Sequence, residues 1–218
     1  MTRYFAGKPV QAVICDVYHT LLEVRPGPAD AAEQWQAARG SSLDAFDAAC
    51  RAAVAREHAA RRAAGVPWPE VDWAAVARQA DPALAELAPA ELQALLQFHA
   101  GLQRRCRAMP GAADFLAGLR QAGLALGIAS NAQAYTLGEL DAAGLEVAGF
   151  AEDLCFWSFR QGFSKPDPDV FRHLSARLAA RGIAPEAVLM IGDRWDNDVL
   201  PARGAGWQAW HFQGQWPR

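Results

Sequence analysis

The sequence predicts an α/β fold, a doubly wound parallel sheet carrying an inserted block of α-helices. Three observations lead there. Short apolar runs end abruptly in polar residues, as buried parallel strands do. Helical patterns with their own start and stop residues lie between the later runs. About a hundred Ala-rich residues separate the first run from the second, where a crossover needs only about a dozen.

Taken in order, the first run is 10–16 (VQAVICD). The next are 124–130 (LALGIAS), 154–157 (LCFW) and 187–192 (AVLMIG), with 207–212 (WQAWHF) as a fifth. A helix is expected over 112–121, where Phe115, Leu116 and Leu119 share a side and Gly123 supplies the stop. A second is expected over 168–181, which opens with Pro168 and acids and ends at Gly182. Its Val170, Phe171, Leu174 and Leu178 recur at helical spacing. Alternation of strand and helix implies the parallel sheet.

The long gap is punctuated by Arg25-Pro26-Gly27-Pro28 and Met109-Pro110-Gly111, both turn-forming. Between them, segments such as 42–64 and 90–107 favour helix. The expected division is therefore a core of 1–24 plus 109–218 and an all-helical insert of 25–108. The two Pro-Gly hinges hang that insert over the carboxyl edge of the sheet.

Composition narrows the function classes. With 52% hydrophobic and 21% charged residues in 218, the chain is long enough for one core and a small appended unit. A net charge of −3 argues against non-specific binding to nucleic acid or anionic membrane. No apolar run approaches bilayer-spanning length, and the N-terminal stretch lacks a signal-peptide core. A cytoplasmic protein with a small-molecule substrate, and neither nucleic-acid nor membrane partners, is expected; the oligomeric state stays open. Cys15, Cys50, Cys106 and Cys155 are far apart and read as reduced thiols. Cys15 alternates with Asp16 along its strand and should face the other way.

In an open parallel sheet, ligands bind beyond the carboxyl ends of the strands. The first strand delivers Asp16 through Leu22 to that edge, and the second delivers Ser130 and Asn131. Beyond the third lie Ser164, Lys165, Pro166, Asp167 and Pro168. The fourth ends in Gly192-Asp193-Arg194-Trp195-Asp196-Asn197-Asp198. A carboxylate can act as a nucleophile if a cation shields it from an anionic substrate. Mg²⁺ takes hard oxygen ligands, and a lysine with a hydroxyl can hold the group whose charge shifts in the transition state. Asp196 reads as a solvated loop acid, and Trp157, Trp195 and Trp207 as packing or lip residues.

These four segments, in this order and spacing, resemble the four motifs of the haloacid dehalogenase superfamily. The large insert resembles its helical C1-type cap. The resemblance implies a Rossmann-like core and a hydrolase with Asp16 as the covalent nucleophile. It further implies that Lys165 neutralises charge, and that Thr20 and Ser130 hold the transferring group or nucleophile with help from the Asn131 backbone. Mg²⁺ would be ligated by Asp16, the Tyr18 carbonyl and Asp193, with Asp198 supporting its water shell or Lys165.

The chain departs from the superfamily's phosphatase pattern, DxDGT, at two positions: Tyr18 stands for the second Asp and His19 for the Gly. That Asp normally protonates the leaving group and activates water, and a phenol with a pKa near ~10 is a poor replacement base. Tyr at this place resembles the 2-haloacid dehalogenases, whereas Asp193 resembles the phosphatases. Tyr18 is counted with Asp16 and Lys165 among the catalytic positions, and His19 is a candidate replacement for the acid/base, because imidazole titrates near neutrality. The main expectation is a Mg²⁺-dependent phosphatase of a small phosphorylated metabolite. The alternatives are a 2-haloacid dehalogenase, with Arg25, Arg51 or Arg104 on the substrate carboxylate, or a non-catalytic binding relative.

Overall fold

A computed structural model of the chain describes residues 3–5 and 7–216. The outermost residues of the expected core, 1, 2, 217 and 218, lie outside them. An antiparallel hairpin, β1 (Arg3–Phe5) and β2 (Lys8–Val10), precedes the first core strand, β3 (Ala12–Cys15). A tight turn then leads into β4 (Leu22–Pro26). The helices α1 (Ala31–Arg39), α2 (Leu43–Ala63), α3 (Trp73–Ala80) and α4 (Pro89–Gln103) follow. The chain returns along β5 (Arg104–Ala108) and continues through α5 (Ala112–Gln121), β6 (Ala125–Ser130) and α6 (Tyr135–Ala142). It closes with β7 (Cys155–Trp157), α7 (Ser158–Gln161), α8 (Pro168–Ala180), β8 (Val188–Gly192), α9 (Leu200–Gly204) and β9 (Gln208–His211).

Among the described residues the main sheet has five parallel strands in the order β7-β6-β3-β8-β9. All five expected runs supply its strands. β3 and β8 lie inside the sheet and are buried throughout, hence their lack of polar alternation. Their side chains alternate between two cores. Val13 and Cys15 join Leu116, Leu140 and Ile191 on one face, while Ala12 and Ile14 join Phe171, Leu174 and Met190 on the other. Helices α5 and α6 therefore cover one face and α8 covers the other. The Cys15 side chain enters the first core, as strand alternation requires.

The helices α1 to α4 enclose a third apolar cluster containing Trp35, Phe46, Leu84, Leu92 and Leu96. Trp35 stacks on Phe46 with ring centroids 4.8 Å apart. The buried His99 meets both rings edge-on, and its Nε2 lies 2.7 Å from Asp47 Oδ1. Ser42 caps α2 by accepting from Ala45 N, a typical helix start.

One expectation is corrected here. Residues 104–107, read from propensity as the tail of a helix, form β5, which pairs antiparallel with β4 from Leu22↔Ala108 to Pro26↔Arg104. The first Pro-Gly segment thus begins in the ribbon at Arg25 and Pro26, and the second follows directly on its other strand, where Met109 N donates to Leu21 O at 2.8 Å. Pairing across some eighty residues overrides a local preference, and the half-buried positions Arg104, Cys106 and Ala108 alternate at strand period.

At the outer end of the ribbon, the Gly27 N–H donates to Gln103 O at 3.2 Å. A Cβ on Gly27 would collide with the Leu102 carbonyl, part of the backbone itself. Gly27→Ala should accordingly cost about 1–3 kcal/mol by overpacking. For a domain of this size, that appears as a melting temperature lower by roughly 2–12 °C. Calorimetry of the two proteins checks it, and an unchanged midpoint would show that the hinge has slack.

Candidate active site

Strand register brings the chemistry together. Cys15 is level with Ile128 in β6 and Ile191 in β8, and the Asp16 N–H donates to Ile191 O at 2.8 Å. Asp16, Ser130 and Asp193 therefore leave adjacent strands on the same edge of the sheet.

Lys165 arrives from the loop before α8, whose first turn is capped by Asp167 accepting from Asp169 N. The Lys165 main chain is clamped by the Asn131 side chain. Asn131 Nδ2 donates to Lys165 O at 2.9 Å, and Lys165 N donates to Asn131 Oδ1 at 2.8 Å. Its Nζ then donates to Asp16 Oδ1 and Asp198 Oδ1, at 2.6 Å each. Lys165 is 3% exposed and Asp198 1%, so these are buried ion pairs whose charges must balance locally.

Asp198 is aimed inward by a π-helical turn over Trp195–Val199. Arg194 N donates to Asp198 Oδ2 at 3.0 Å, leaving Oδ1 for the lysine. The carboxyl folds against Gly192 so closely that any Cβ there would overlap it. A glycine before Asp193 is thus a requirement of close approach.

Carboxylate oxygens of Asp16, Asp193 and Asp198 lie within 4.8 Å of one another. Burial pushes the Asp16 carboxyl up to about 6; Lys165 pulls it down, while Asp198 and Asp193 add to the rise. Asp193 is also raised, by burial and then by Asp198, with His19 opposing. Burial pulls the Lys165 ammonium down, but its two carboxylates outweigh this and the net direction is up. Three converging hard oxygen donors, with the anionic forms of Asp16 and Asp193 held at a cost, match the donor set a divalent cation takes.

Two further polar groups stand ready on the same edge. Thr20 and Ser130 are fully buried, and their hydroxyls have no hydrogen-bond partner among the described residues. Buried hydroxyls are normally paired, so two orphans in the chain leaving adjacent strands at this edge are suited to another molecule's oxygens.

His19 occupies the turn after Asp16 with φ +60°, the left-handed region that favours glycine. Its N–H donates to Leu22 O at 2.7 Å, and its side chain is exposed. Tyr18 behaves differently. Its hydroxyl donates to Glu139 Oε2 at 2.5 Å, receives Arg104 Nη2 at 2.7 Å and lies 2.7 Å from Thr136 Oγ1. The Arg104 guanidinium also sits 4.6 Å over the Tyr18 ring and pairs with Glu139 at 3.1 Å. Burial raises the phenol's pKa well above its ordinary range; Arg104 opposes this, and Glu139 adds to it.

Of the three arginines singled out in the sequence, Arg104 meets the motif residues, while Arg25 pairs with Glu23 in solvent and Arg51 is exposed. Glu139 and Thr136 carried no sequence signal, because α6 was not foreseen. Trp157 and Trp207 are buried and Trp195 is an exposed lip residue, while Asp196 pairs with Arg194 at the surface.

The helical unit touches this rim through 68–73. Glu70 N donates to Gly162 O at 3.0 Å, Pro69 pairs with Phe163, and Ser164 N donates to Trp68 O at 3.0 Å. The Glu70 carboxylate accepts from Ser158 Oγ at 2.7 Å and Gln133 Nε2 at 3.0 Å.

Comparison with known proteins places this arrangement. A family model described as haloacid dehalogenase-like hydrolase matches residues 10–206. A phosphoserine phosphatase from Thermus thermophilus is 37% identical over 133 residues, which is 60% of this chain and 51% of that protein. The matched region thus spans about half the length of that relative. Among solved structures, a 2-haloacid dehalogenase from Pseudomonas syringae pv. Tomato superposes with TM-score 0.63 at 21% identity, covering 92% of this chain and 85% of its own. A HAD phosphatase from Thermococcus onnurineus gives 0.55 at 23% identity with the same coverage. At such identities these structures speak for the fold alone. No helix among the described residues is long and apolar enough to cross a membrane. Strand order, motif positions and the family match over most of its length agree, and the chain belongs to the haloacid dehalogenase-like hydrolase family.

Proposed function

We propose that this chain is a Mg²⁺-dependent phosphatase that moves the phosphoryl group of a small phosphorylated metabolite to Asp16 and then to water. The observation that carries the reading is the convergence of Asp16, Asp193 and Asp198 oxygens within 4.8 Å, with Lys165 beside them. An alkyl halide has no use for such a cluster, since the carboxylates beyond Asp16 would only oppose the nucleophile's charge. The 37% identity to a phosphoserine phosphatase supports phosphate as the substrate group.

In this reading Asp16 attacks phosphorus, and the Lys165 ammonium keeps it ionised and screens it from the dianionic substrate. Thr20 and Ser130 donate their free hydroxyl protons to phosphoryl oxygens. Asn131 acts as a positioning residue by fixing the lysine's main chain. Asp16, Asp193 and the Tyr18 carbonyl would hold Mg²⁺, which supplies charge neutralisation for the phosphoryl oxygens when bound. Asp198 carries Lys165. The helices of 25–108 serve as the cap over a core of 1–24 and 109–218. Four cysteines without disulfides fit the expected cytoplasmic setting.

Hydrolysis of para-nitrophenyl phosphate should require Mg²⁺ and fall by at least about 10³-fold in Asp16→Asn. Mg²⁺ should also raise the melting temperature of the wild type by a few degrees but leave Asp193→Asn unmoved, because relief of carboxylate repulsion needs both walls of the site. Release of halide from 2-chloropropionate that persists in EDTA would instead establish the dehalogenase reading that Tyr18 favours.

Lys165→Met should cost about 3–5 kcal/mol at neutral pH, since two buried carboxylates lose their cation. The variant's Asp16 pKa then lies higher still above its unfolded value of ~3.9. An acid whose folded pKa is raised carries no penalty below its unfolded pKa and the full penalty above its folded one. The stability gap to the wild type should therefore widen from pH 4 to pH 8, as pH-dependent urea melts would show. A gap independent of pH would mean that the lysine acts through packing.

A further inference from the structure

An alkyl oxygen leaves phosphorus as an alkoxide unless a proton arrives with it, and a positioned acid contributes on the order of 10²–10⁴-fold to such a step. The groups around Asp16 that hold a proton are not placed to give it up. Lys165 directs two of its three protons at Asp16 and Asp198, and an ammonium held between two carboxylates can bond an oxyanion through the third without surrendering it. Asp193 and Asp198 belong to the acidic cluster.

Tyr18 is saturated. A phenol has one proton and two lone pairs. The proton goes to Glu139, and Arg104 Nη2 takes one lone pair. Thr136 Oγ1 already accepts from Gln133 N at 3.1 Å and turns its own proton to the remaining lone pair of Tyr18. Nothing is left on that hydroxyl for a substrate. The Thr20 and Ser130 hydroxyls are aliphatic alcohols, able to hold an oxyanion but too weakly acidic to protonate one. His19 stands exposed on the rim, its backbone tied into the turn.

We propose that this site turns over phosphates whose leaving group departs without a proton, namely acyl, enol and aryl phosphates, and handles alkyl phosphates poorly. The inference rests on the phosphatase reading of Asp16. In the first step the bond from Asp16 to phosphorus forms as the bond to the leaving oxygen breaks. The carboxylate, enolate or phenolate keeps the electron pair and takes no proton. In the second step water adds to phosphorus, the electron pair returns to the Asp16 carboxylate, and both water protons leave with the phosphate.

The test uses the full chain with Mg²⁺ and a series of similar size: para-nitrophenyl, para-chlorophenyl and phenyl phosphate, with acetyl phosphate and phosphoserine as the acyl and alkyl arms. The readout is kcat/KM, which reports the first step even if release of phosphate from Asp16 limits kcat. It should fall by about tenfold or more from para-nitrophenyl to phenyl phosphate and be lowest on phosphoserine, while acetyl phosphate turns over readily. Tyr18→Asp should flatten the series by restoring a carboxyl group. A spread below tenfold in the wild type overturns the inference, leaves the phosphatase reading standing and turns attention to His19 as donor. Inertness toward every arm, acetyl phosphate included, removes the phosphatase reading itself.

Discussion

A single ammonium group between two buried carboxylates holds the rim of this sheet together. Lys165 joins Asp16, at the end of β3, to Asp198, in the turn after β8. Without it, neighbouring strands would deliver like charges into a space with little water to screen them. Other features serve that contact. Asn131 pins the lysine's backbone, Gly192 lets the Asp198 carboxyl lie flat against the chain, and the π turn aims it. Counting Asp193, three carboxylates face that one ammonium, and the rim carries an excess of negative charge.

Position 18 shows how one residue divides its duties. Its backbone belongs to the turn that also sets His19 in the left-handed region and bridges to Leu22, a course that does not depend on the side chain at that place. Its side chain joins a buried cluster made by helix α6 and the ribbon instead. Arg104 grips both Tyr18 and Glu139, and so connects the chain just past Asp16 to the root of the helical unit.

Much of this was legible in the sequence, and the limits are physical. The inner strands β3, β6 and β8 announced themselves because burial on both faces leaves continuous apolar runs. The edge strands β7 and β9 did so by their short apolar and aromatic runs, and α5 and α8 because stop residues and periodicity agree. The meeting of Asp16, Ser130 and Asp193 at one edge was legible because each ends or directly follows such a run, whereas Lys165 lies eight residues beyond its strand and was singled out by the family resemblance. The β4–β5 ribbon was hidden, since its partners are some eighty residues apart and arginine is a good helix former. Glu139 and Thr136 were hidden for a related reason. They matter through contacts with Tyr18 more than a hundred residues away, and they sit on a short helix whose Gly138 weakens the local signal.

The docking of 68–73 on 162–164 ties two properties into one. The paired backbone at Pro69 and Phe163 ends one residue short of the segment that carries the lysine. Swinging the helices outward has to peel that pairing apart, which frees the lysine's own perch on its upstream side. Access for a visiting molecule and stiffness of the charge that would greet it thus trade against each other: a looser doorway is also a less well-aimed cation.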